Sequence, residues 1–211
     1  MSELVLYADA SWQSPWVFHV VVALEELRVP YRLDALAMPI PSEVRAELQR
    51  NAVLGKVPCL RDDDIWLTES LAISEYLAER FTPPQHARLL PLHRSERARA
   101  RQVMSWLRTS LFALREERPT TSVFHRPIQQ PLSEKARADA AELVRVTEQL
   151  LAPDASTLAT EWCIADADLA LALMRLVANS DPMPQRLVTY AMAQWGRASV
   201  RKYLGYIPTT S

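Results

Sequence analysis

Glycine is scarce in this chain of 211 residues, which contains only Gly55, Gly196 and Gly205. Dinucleotide-binding fingerprints and phosphate-binding loops need several closely spaced glycines so that the backbone can approach phosphate. Three widely separated glycines cannot form either motif. The scarcity therefore excludes the two commonest nucleotide-binding loops.

Cysteine, excess charge and long apolar runs are also missing. Two cysteines, Cys59 and Cys163, do not make a disulfide framework. A formal net charge of -1 lacks the basic excess typical of nucleic-acid binders. No apolar run approaches the roughly 20 residues of a membrane helix, and the opening MSELVLYADASW is not typical of a secretory signal. We therefore expect a cytoplasmic protein with no nucleic-acid or membrane partner.

The pattern of apolar residues changes near residue 82. Before that point, short apolar runs and amphipathic segments predict the order β-α-β-α-β-β-α. Residues 82–92 carry Pro83, Pro84 and Pro91, which indicate a linker. Only helical patterns follow. The sequence thus predicts an α/β domain over residues 1–81, a linker over 82–92 and an all-helical domain over 93–211.

Several predicted elements bear on a functional site. A helix should begin at Pro15, because proline suits the first helical turn, with Ser14 as its cap. One apolar stripe predicts a single helix from His93 to Glu117. Prolines predict an irregular loop over residues 119–131, and a nearly uniform apolar run predicts a buried central helix over residues 166–178.

Four short motifs occur in a characteristic order: Ser14-Pro15-Trp16-Val17 continuing to Ala23-Leu24-Glu25-Glu26, then Gly55-Lys56-Val57-Pro58, Glu69-Ser70, and Cys163-Ile164-Ala165-Asp166. Each motif alone is weak evidence. In this order and at these separations they resemble the glutathione transferase superfamily, specifically its serine-type members of the tau class and related bacterial enzymes. The resemblance covers essentially the whole chain. One departure is Cys163, where the family usually has Ser or Thr as a helix cap.

The resemblance implies a thioredoxin-like N-terminal domain, an all-α C-terminal domain and a set of glutathione-binding residues. Ser14 would activate the thiol of glutathione. Val57, before a cis Pro58, would bind the cysteine backbone of glutathione, and Glu69 with Ser70 would hold its γ-glutamyl end. Lys56 is a candidate for the glycine carboxylate.

Plainer interpretations of these residues stay open at this point. Ser14 could be a purely structural cap, and Ser11 could assist or replace it. Pro58 could simply start a strand, and the Glu69-Ser70 pair could be an ordinary helix start. The walls of the second-substrate site are less defined, because a tryptophan at helical spacing is often a core residue; the candidates are Trp12, Trp106, Phe112 and residues 122–128.

The leading functional hypothesis is an enzyme of detoxification or oxidative-stress defence that conjugates glutathione to small hydrophobic electrophiles, with hydroperoxide reduction left open. Serine rather than cysteine at position 14 argues against thioltransferase chemistry, which needs a protein thiol. The alternative is a non-catalytic stress or regulatory protein that binds glutathione or hydrophobic ligands on the same fold. Glutathione is the expected co-substrate, and the family implies a homodimer. No metal is expected, because no two histidines have a metal-ligand spacing.

Overall fold

The computed structural model describes residues 3–208. Its N-terminal part contains one four-stranded sheet in the order β2-β1-β3-β4. Strands β1 and β2 are parallel, with Leu4 opposite Tyr31, and the other two pairs are antiparallel. The parallel pair needs a crossover connection, which helix α1 supplies. The bounds are Leu4–Asp9 for β1, Pro15–Leu27 for α1, Tyr31–Leu36 for β2, Cys59–Asp62 for β3 and Ile65–Thr68 for β4.

Two further helices cover the sheet. Helix α3 (Ser70–Arg80) packs with α1 in the main core, where Phe18 and Ile73 are fully buried. Helix α2 (Ser42–Ala52) packs separately, in a small cluster with Cys59. This arrangement leaves the start of α1, the start of α3 and the approach to β3 to form the candidate site.

The C-terminal part is helical around one buried helix. Helix α8 is buried at every residue from Ile164 to Leu176, which confirms the prediction of a central helix with a start two residues earlier than expected. The mixed N-terminal part and this helical part confirm the predicted fold class. The helices are α4 (Arg94–Thr109), α5 (Phe112–Glu117), α6 (Thr120–Phe124), α7 (Glu134–Leu150), α8 (Ile164–Val177), α9 (Gln185–Trp195) and α10 (Ala198–Leu204).

Two predictions about this helical part are wrong. The helix expected over residues 93–117 is broken into α4 and α5, because Ser110 is extended and Leu111 is left-handed with a φ of 58°. The loop expected over residues 119–131 contains α6, which buries Thr120 and Ser122. In both places tertiary packing overrides the local pattern.

The division into residues 1–81, 82–92 and 93–211 stays a prediction, and its outer ends, residues 1–2 and 209–211, lie outside the described residues. Helix α3 ends at Arg80 and α4 begins at Arg94. The segment between them contacts the central helix, since the Ile164 N–H donates to the Leu89 carbonyl at 2.9 Å. At the same helix start, Asp166 accepts a hydrogen bond from the Cys163 N–H at 2.9 Å. This half of the expected capping box uses the backbone of Cys163 and does not depend on its thiol.

Candidate active site

Ser14 caps helix α1 and keeps a free hydroxyl hydrogen. Its backbone is extended, Pro15 occupies the first helical position, and Ser14 Oγ accepts a hydrogen bond from the Val17 N–H at 3.3 Å. Within residues 3–208 the Ser14 hydroxyl has no acceptor of its own. The half-buried hydroxyl can therefore donate to a ligand placed at the positive end of the helix dipole.

Ser11 is occupied differently. Its hydroxyl donates to Asp9 Oδ2 at 2.9 Å, and the same carboxylate oxygen accepts the Gln13 N–H at 2.7 Å. The Ser11 hydrogen is thus used inside the loop that leads to α1. Of the two serines, the geometry favours Ser14 as the donor to a ligand.

A cavity of about 260 Å³ lies beside the start of α1. It brings together five residues that the sequence predicts to bind glutathione, namely Lys56, Val57, Pro58, Glu69 and Ser70. Ser14 is not part of its lining, but Trp16, two residues further along α1, is. The remaining lining residues, Arg108 and Arg115, were not anticipated from the sequence.

The peptide bond between Val57 and Pro58 is cis, as the resemblance implies. Val57 precedes β3 and takes no part in the ladders that β3 forms with β1 and β4. Its backbone N–H and C=O are therefore outside the sheet pairing. An extended peptide could pair with them as a short additional strand.

Lys56 and Glu69 form an ion pair with each other at the rim of the cavity, and more than half of each side chain is exposed. Exposed ion pairs contribute little to stability, so a charged ligand can displace this one. Glu69 also has a φ of 68°, an uncommon backbone conformation for a residue with a side chain. Residues held in such conformations cluster at functional sites.

Arg108 connects the cavity to a buried ionic network. Its guanidinium donates to Ser70 Oγ at 2.9 Å, pairs with Asp168, and lies 4.6 Å from the centre of the Trp16 ring. Asp168 in turn contacts the Nδ1 atom of His19 at 2.8 Å. Because Arg108 donates to Ser70 Oγ, the Ser70 hydroxyl keeps its own hydrogen available for a ligand carboxylate.

Burial alone would raise the pKa of Asp168, but His19 and Arg108 outweigh it and lower the pKa to about 2. Asp168 therefore stays ionised at any physiological pH and holds Arg108 at the cavity wall. Three helices, α1, α4 and α8, contribute to this network, so the site is supported from both parts of the chain.

The three aromatic residues expected around the second substrate lie in three different places. Trp12 is in the core, where its ring stacks on Tyr206 at 4.7 Å, so the structure does not support it as a cavity wall. Trp106 lines a separate groove of about 510 Å³ between α4 and α7. Phe112 is exposed and lies against the guanidinium of Arg115, next to the candidate site.

The segment 122–128, also expected near the second substrate, turns inward. Ser122 is buried, and Phe124 packs among Phe18, Trp195 and Tyr203. These contacts make Phe124 part of the core. Arg126 and Pro127 are exposed, but no residue of the segment lines the cavity.

A pattern in the sequence could have identified Arg108 and Arg115. They lie seven residues apart, which would place them on one face of the single helix predicted over residues 93–117, with Leu107, Leu111 and Leu114 between or beside them. Because the chain breaks between α4 and α5, packing rather than helical spacing brings the two side chains to one cavity. Two arginines bordering an apolar stripe were a detectable feature. Trp16 belongs to the Ser14-Pro15-Trp16-Val17 motif, which by itself predicts no role for the tryptophan.

Two other kinds of site find no support in the described part of the chain. No helix within residues 3–208 is both long and apolar enough to cross a membrane. The same residues contain no cluster of three or more histidine, cysteine or acidic side chains that could hold a metal ion.

Comparison with known proteins identifies the family to which the chain belongs. The family model described as the glutathione S-transferase N-terminal domain matches residues 13–80, and the one described as the C-terminal domain matches residues 93–207. Glutathione S-transferase T1 from Arabidopsis thaliana is 30% identical over 203 residues, covering 90% of this chain and 79% of that protein.

Solved structures give the same result. A glutathione transferase homologue from Burkholderia, crystallised with bound glutathione, is 30% identical with a TM-score of 0.77, covering 96% of both chains. A tau-class glutathione S-transferase from mango, Mangifera indica, has a TM-score of 0.74 at 17% identity, covering 96% of this chain and 92% of that chain, which supports the fold alone. The chain belongs to the glutathione S-transferase family of enzymes.

Proposed function

We propose that this enzyme binds glutathione in the cavity beside α1 and activates its thiol through Ser14, for transfer to a small hydrophobic electrophile. The observation that carries the proposal is the Ser14 hydroxyl, which accepts from the helix backbone and has no acceptor of its own within residues 3–208. Glutathione found in the Burkholderia relative supports the same ligand here.

Ser14 has a definite energetic task. A free thiol has a pKa of roughly 8.5, so only about 3% is thiolate at pH 7. Lowering that pKa by about 2 units requires roughly 2.7 kcal/mol of preferential stabilisation of the thiolate. A hydrogen bond to a charged group contributes about 1.5–3 kcal/mol, and the N-terminus of α1 adds a smaller favourable term.

Four residues that line the cavity would orient the tripeptide. Val57 would pair with its backbone, and Ser70 would donate to the γ-glutamyl carboxylate. Glu69 would exchange its pairing with Lys56 for the γ-glutamyl ammonium, which frees Lys56 for the glycine carboxylate. The ammonium and the glycine carboxylate of the ligand thereby meet opposite protein charges, whereas the γ-glutamyl carboxylate meets a neutral hydroxyl donor.

The same thiolate could reduce a hydroperoxide. Its sulfur would attack the terminal peroxide oxygen, releasing an alcohol after protonation and leaving the sulfenic acid of glutathione. A second glutathione would then form the disulfide and water, so that two thiols supply the two electrons. We propose this as a secondary activity.

The enzyme is further proposed to act as a cytoplasmic homodimer. Both cysteines are free and buried, which is compatible with a reducing compartment. Light scattering tests the assembly directly, because a dimer has twice the 24.0 kDa mass of the chain.

The test is steady-state kinetics with glutathione and the neutral electrophile 1-chloro-2,4-dinitrobenzene. Ser14→Ala should lower kcat/KM roughly 10- to 100-fold, the equivalent of the lost hydrogen bond. Ser14→Asp, which keeps a helix-capping oxygen but has no hydrogen to donate, should lower it as far. Ser11→Ala is the matched control and should stay within about threefold of wild type.

Folding of each variant is checked by circular dichroism. Full activity in both Ser14 variants would refute the role of Ser14. Glutathione binding without turnover in the wild-type protein would instead support the non-catalytic alternative.

A further inference from the structure

Arg115 carries a positive charge that the described structure leaves without an anionic partner. The half-buried side chain lies 5.5 Å from the centre of the Trp16 ring and 5.5 Å from that of Phe112. Its guanidinium donates to the backbone carbonyl of Arg108 at 3.0 Å. Among residues 3–208 no carboxylate forms an ion pair with it.

The other charges at the cavity are already matched. Lys56 pairs with Glu69, and Arg108 pairs with Asp168. Burial and the nearby Arg108 lower the pKa of Arg115. The same two kinds of effect act on the buried Arg175, since burial and Arg115 lower its pKa to about 10. The region beside Trp16 therefore has an excess of positive charge that a bound anion would relieve.

Arg115 lies at the edge of the candidate glutathione cavity and also borders a region beyond it. Trp16 and Arg115 also line a second, smaller cavity of about 30 Å³, whose other walls are mainly apolar. Lys56, Val57 and Ser70 do not reach this second cavity. Arg115 thus lies where the predicted glutathione residues end and the buried leucines near the junction of α4, α5 and α8 begin, namely Leu107, Leu111, Leu114 and Leu171.

We propose that the second substrate is an electrophile bearing a carboxylate or similar oxyanion, and that Arg115 binds this anionic group. The inference rests on the proposed function, since it names the substrate class of the same site. The apolar body of the electrophile packs against Trp16 and the exposed ring of Phe112. A planar guanidinium between two aromatic rings is preorganised for bidentate pairing with a carboxylate.

The reaction itself is ordinary nucleophilic substitution. With an aryl chloride, the glutathione sulfur forms a bond to the ring carbon and chloride leaves with the electron pair of the carbon–chlorine bond. The proton of the thiol is released to solvent. Arg115 takes no part in bond making and serves to hold the substrate.

A matched pair of electrophiles tests the proposal: 4-chloro-3,5-dinitrobenzoate, which is anionic, and its neutral methyl ester. The measured quantity is the ratio of kcat/KM for the acid to kcat/KM for the ester, corrected for their uncatalysed rates with glutathione. Arg115→Met, which keeps an apolar side chain of similar length, should lower this ratio at least tenfold. Arg115→Lys should give an intermediate ratio, because the charge remains but the planar, bidentate geometry is lost.

Arg99→Met is the control for a change in net charge, since Arg99 lies on the separate groove beside Trp106. It should leave the ratio unchanged. The same ratio in wild type and Arg115→Met would overturn the proposal. A rise in the KM of glutathione alone, equal with both electrophiles, would also overturn it by assigning Arg115 to glutathione. Absence of turnover with either electrophile would count against the proposed function instead.

Discussion

Asp168 is the residue on which the support of the site depends. Its carboxylate is buried and contacts both His19 and Arg108, and Arg108 reaches Ser70 in the cavity. Removing one partner of a buried ion pair leaves an uncompensated charge and typically costs 3–5 kcal/mol. Asp168 therefore serves stability and site geometry together.

Asp168→Asn should lower the free energy of unfolding by about 3 kcal/mol at pH 7. The pKa of Asp168 is lowered to about 2 in the folded state, against about 3.9 in an unfolded chain. A lowered pKa means that the stabilisation is fully present above pH 4 and is lost as the pH falls toward 2. The difference between wild type and variant, measured by urea unfolding, should therefore shrink as the pH falls from 4 toward 2.

Glu142→Gln is the control for Asp168→Asn, because it removes one negative charge from an exposed pair with Arg145. It should change stability little at either pH. An Asp168→Asn variant as stable as wild type at pH 7 would contradict the assignment of a stabilising network.

The predictability of individual residues depended on sequence distance. Lys56 to Pro58 lie in one motif, and Glu69 with Ser70 in another, so the resemblance identified them without long-range information. Arg108 meets Ser70 across 38 residues, and Asp168 meets Arg108 across 60. No local pattern encodes such contacts, since they arise only when the helices pack.

At the scale of elements, the scarcity of glycine means that residues with side chains adopt the unfavourable left-handed backbone conformation at turns. None of the glycines has a positive φ, whereas seven other described residues do, including Arg28, Leu111 and Ser180. Arg28 ends α1 in the left-handed conformation with a φ of 54°, and its N–H donates to the Glu25 carbonyl at 3.2 Å. Glycine is the usual residue at such helix ends because it lacks the Cβ atom that makes this conformation unfavourable.

Arg28→Gly should therefore stabilise the protein by roughly 0.5–1 kcal/mol relative to Arg28→Ala, which removes the same exposed side chain but keeps Cβ. Thermal and urea unfolding of the two variants measure the difference. A glycine variant less stable than the alanine variant would show that this helix end is not strained.

Element bounds were predictable wherever a local signal exists. Pro15 and Ser14 set the start of α1, and its predicted span of residues 15–27 is confirmed. The break after α4 was missed because Leu111 gives no sign of a turn. Its side chain is buried while its backbone is left-handed, so packing selects a conformation that leucine alone disfavours.

At the scale of the whole molecule, the N-terminal and C-terminal parts share one core. Fully buried Phe18 of α1 contacts Tyr203 of α10, and the Tyr203 hydroxyl donates to the Trp12 carbonyl at 3.0 Å. Glu26 accepts two hydrogen bonds from Arg197, each at 2.9 Å. If the two parts separated, the faces of α1 and α10 that pack against each other would be exposed to solvent.

The two parts should therefore unfold in one cooperative transition. Midpoints from tryptophan fluorescence and from far-ultraviolet circular dichroism should coincide at a fixed protein concentration. Two separated transitions would contradict a shared core. So would a circular-dichroism signal of helix that remains after the change in fluorescence is complete.

The architecture was predictable because the local spacing of apolar residues indicates the order of strands and helices. The docking of α10 on α1 was not predictable, since it joins Tyr203 to Phe18 across the length of the chain. The candidate site combines both situations. Its glutathione residues come from local motifs, whereas its cationic wall comes from the packing of α4 and α5 on α1.

The central claim is that Ser14 stabilises the thiolate of bound glutathione. The most direct measurement is the ultraviolet absorbance of thiolate as glutathione is titrated into wild type and Ser14→Ala across a range of pH. We expect thiolate at neutral pH in the wild type and an apparent thiol pKa at least about one unit higher in Ser14→Ala, the equivalent of a hydrogen bond to a charged group. Equal pKa values in the two proteins, with glutathione bound to both, would contradict the claim.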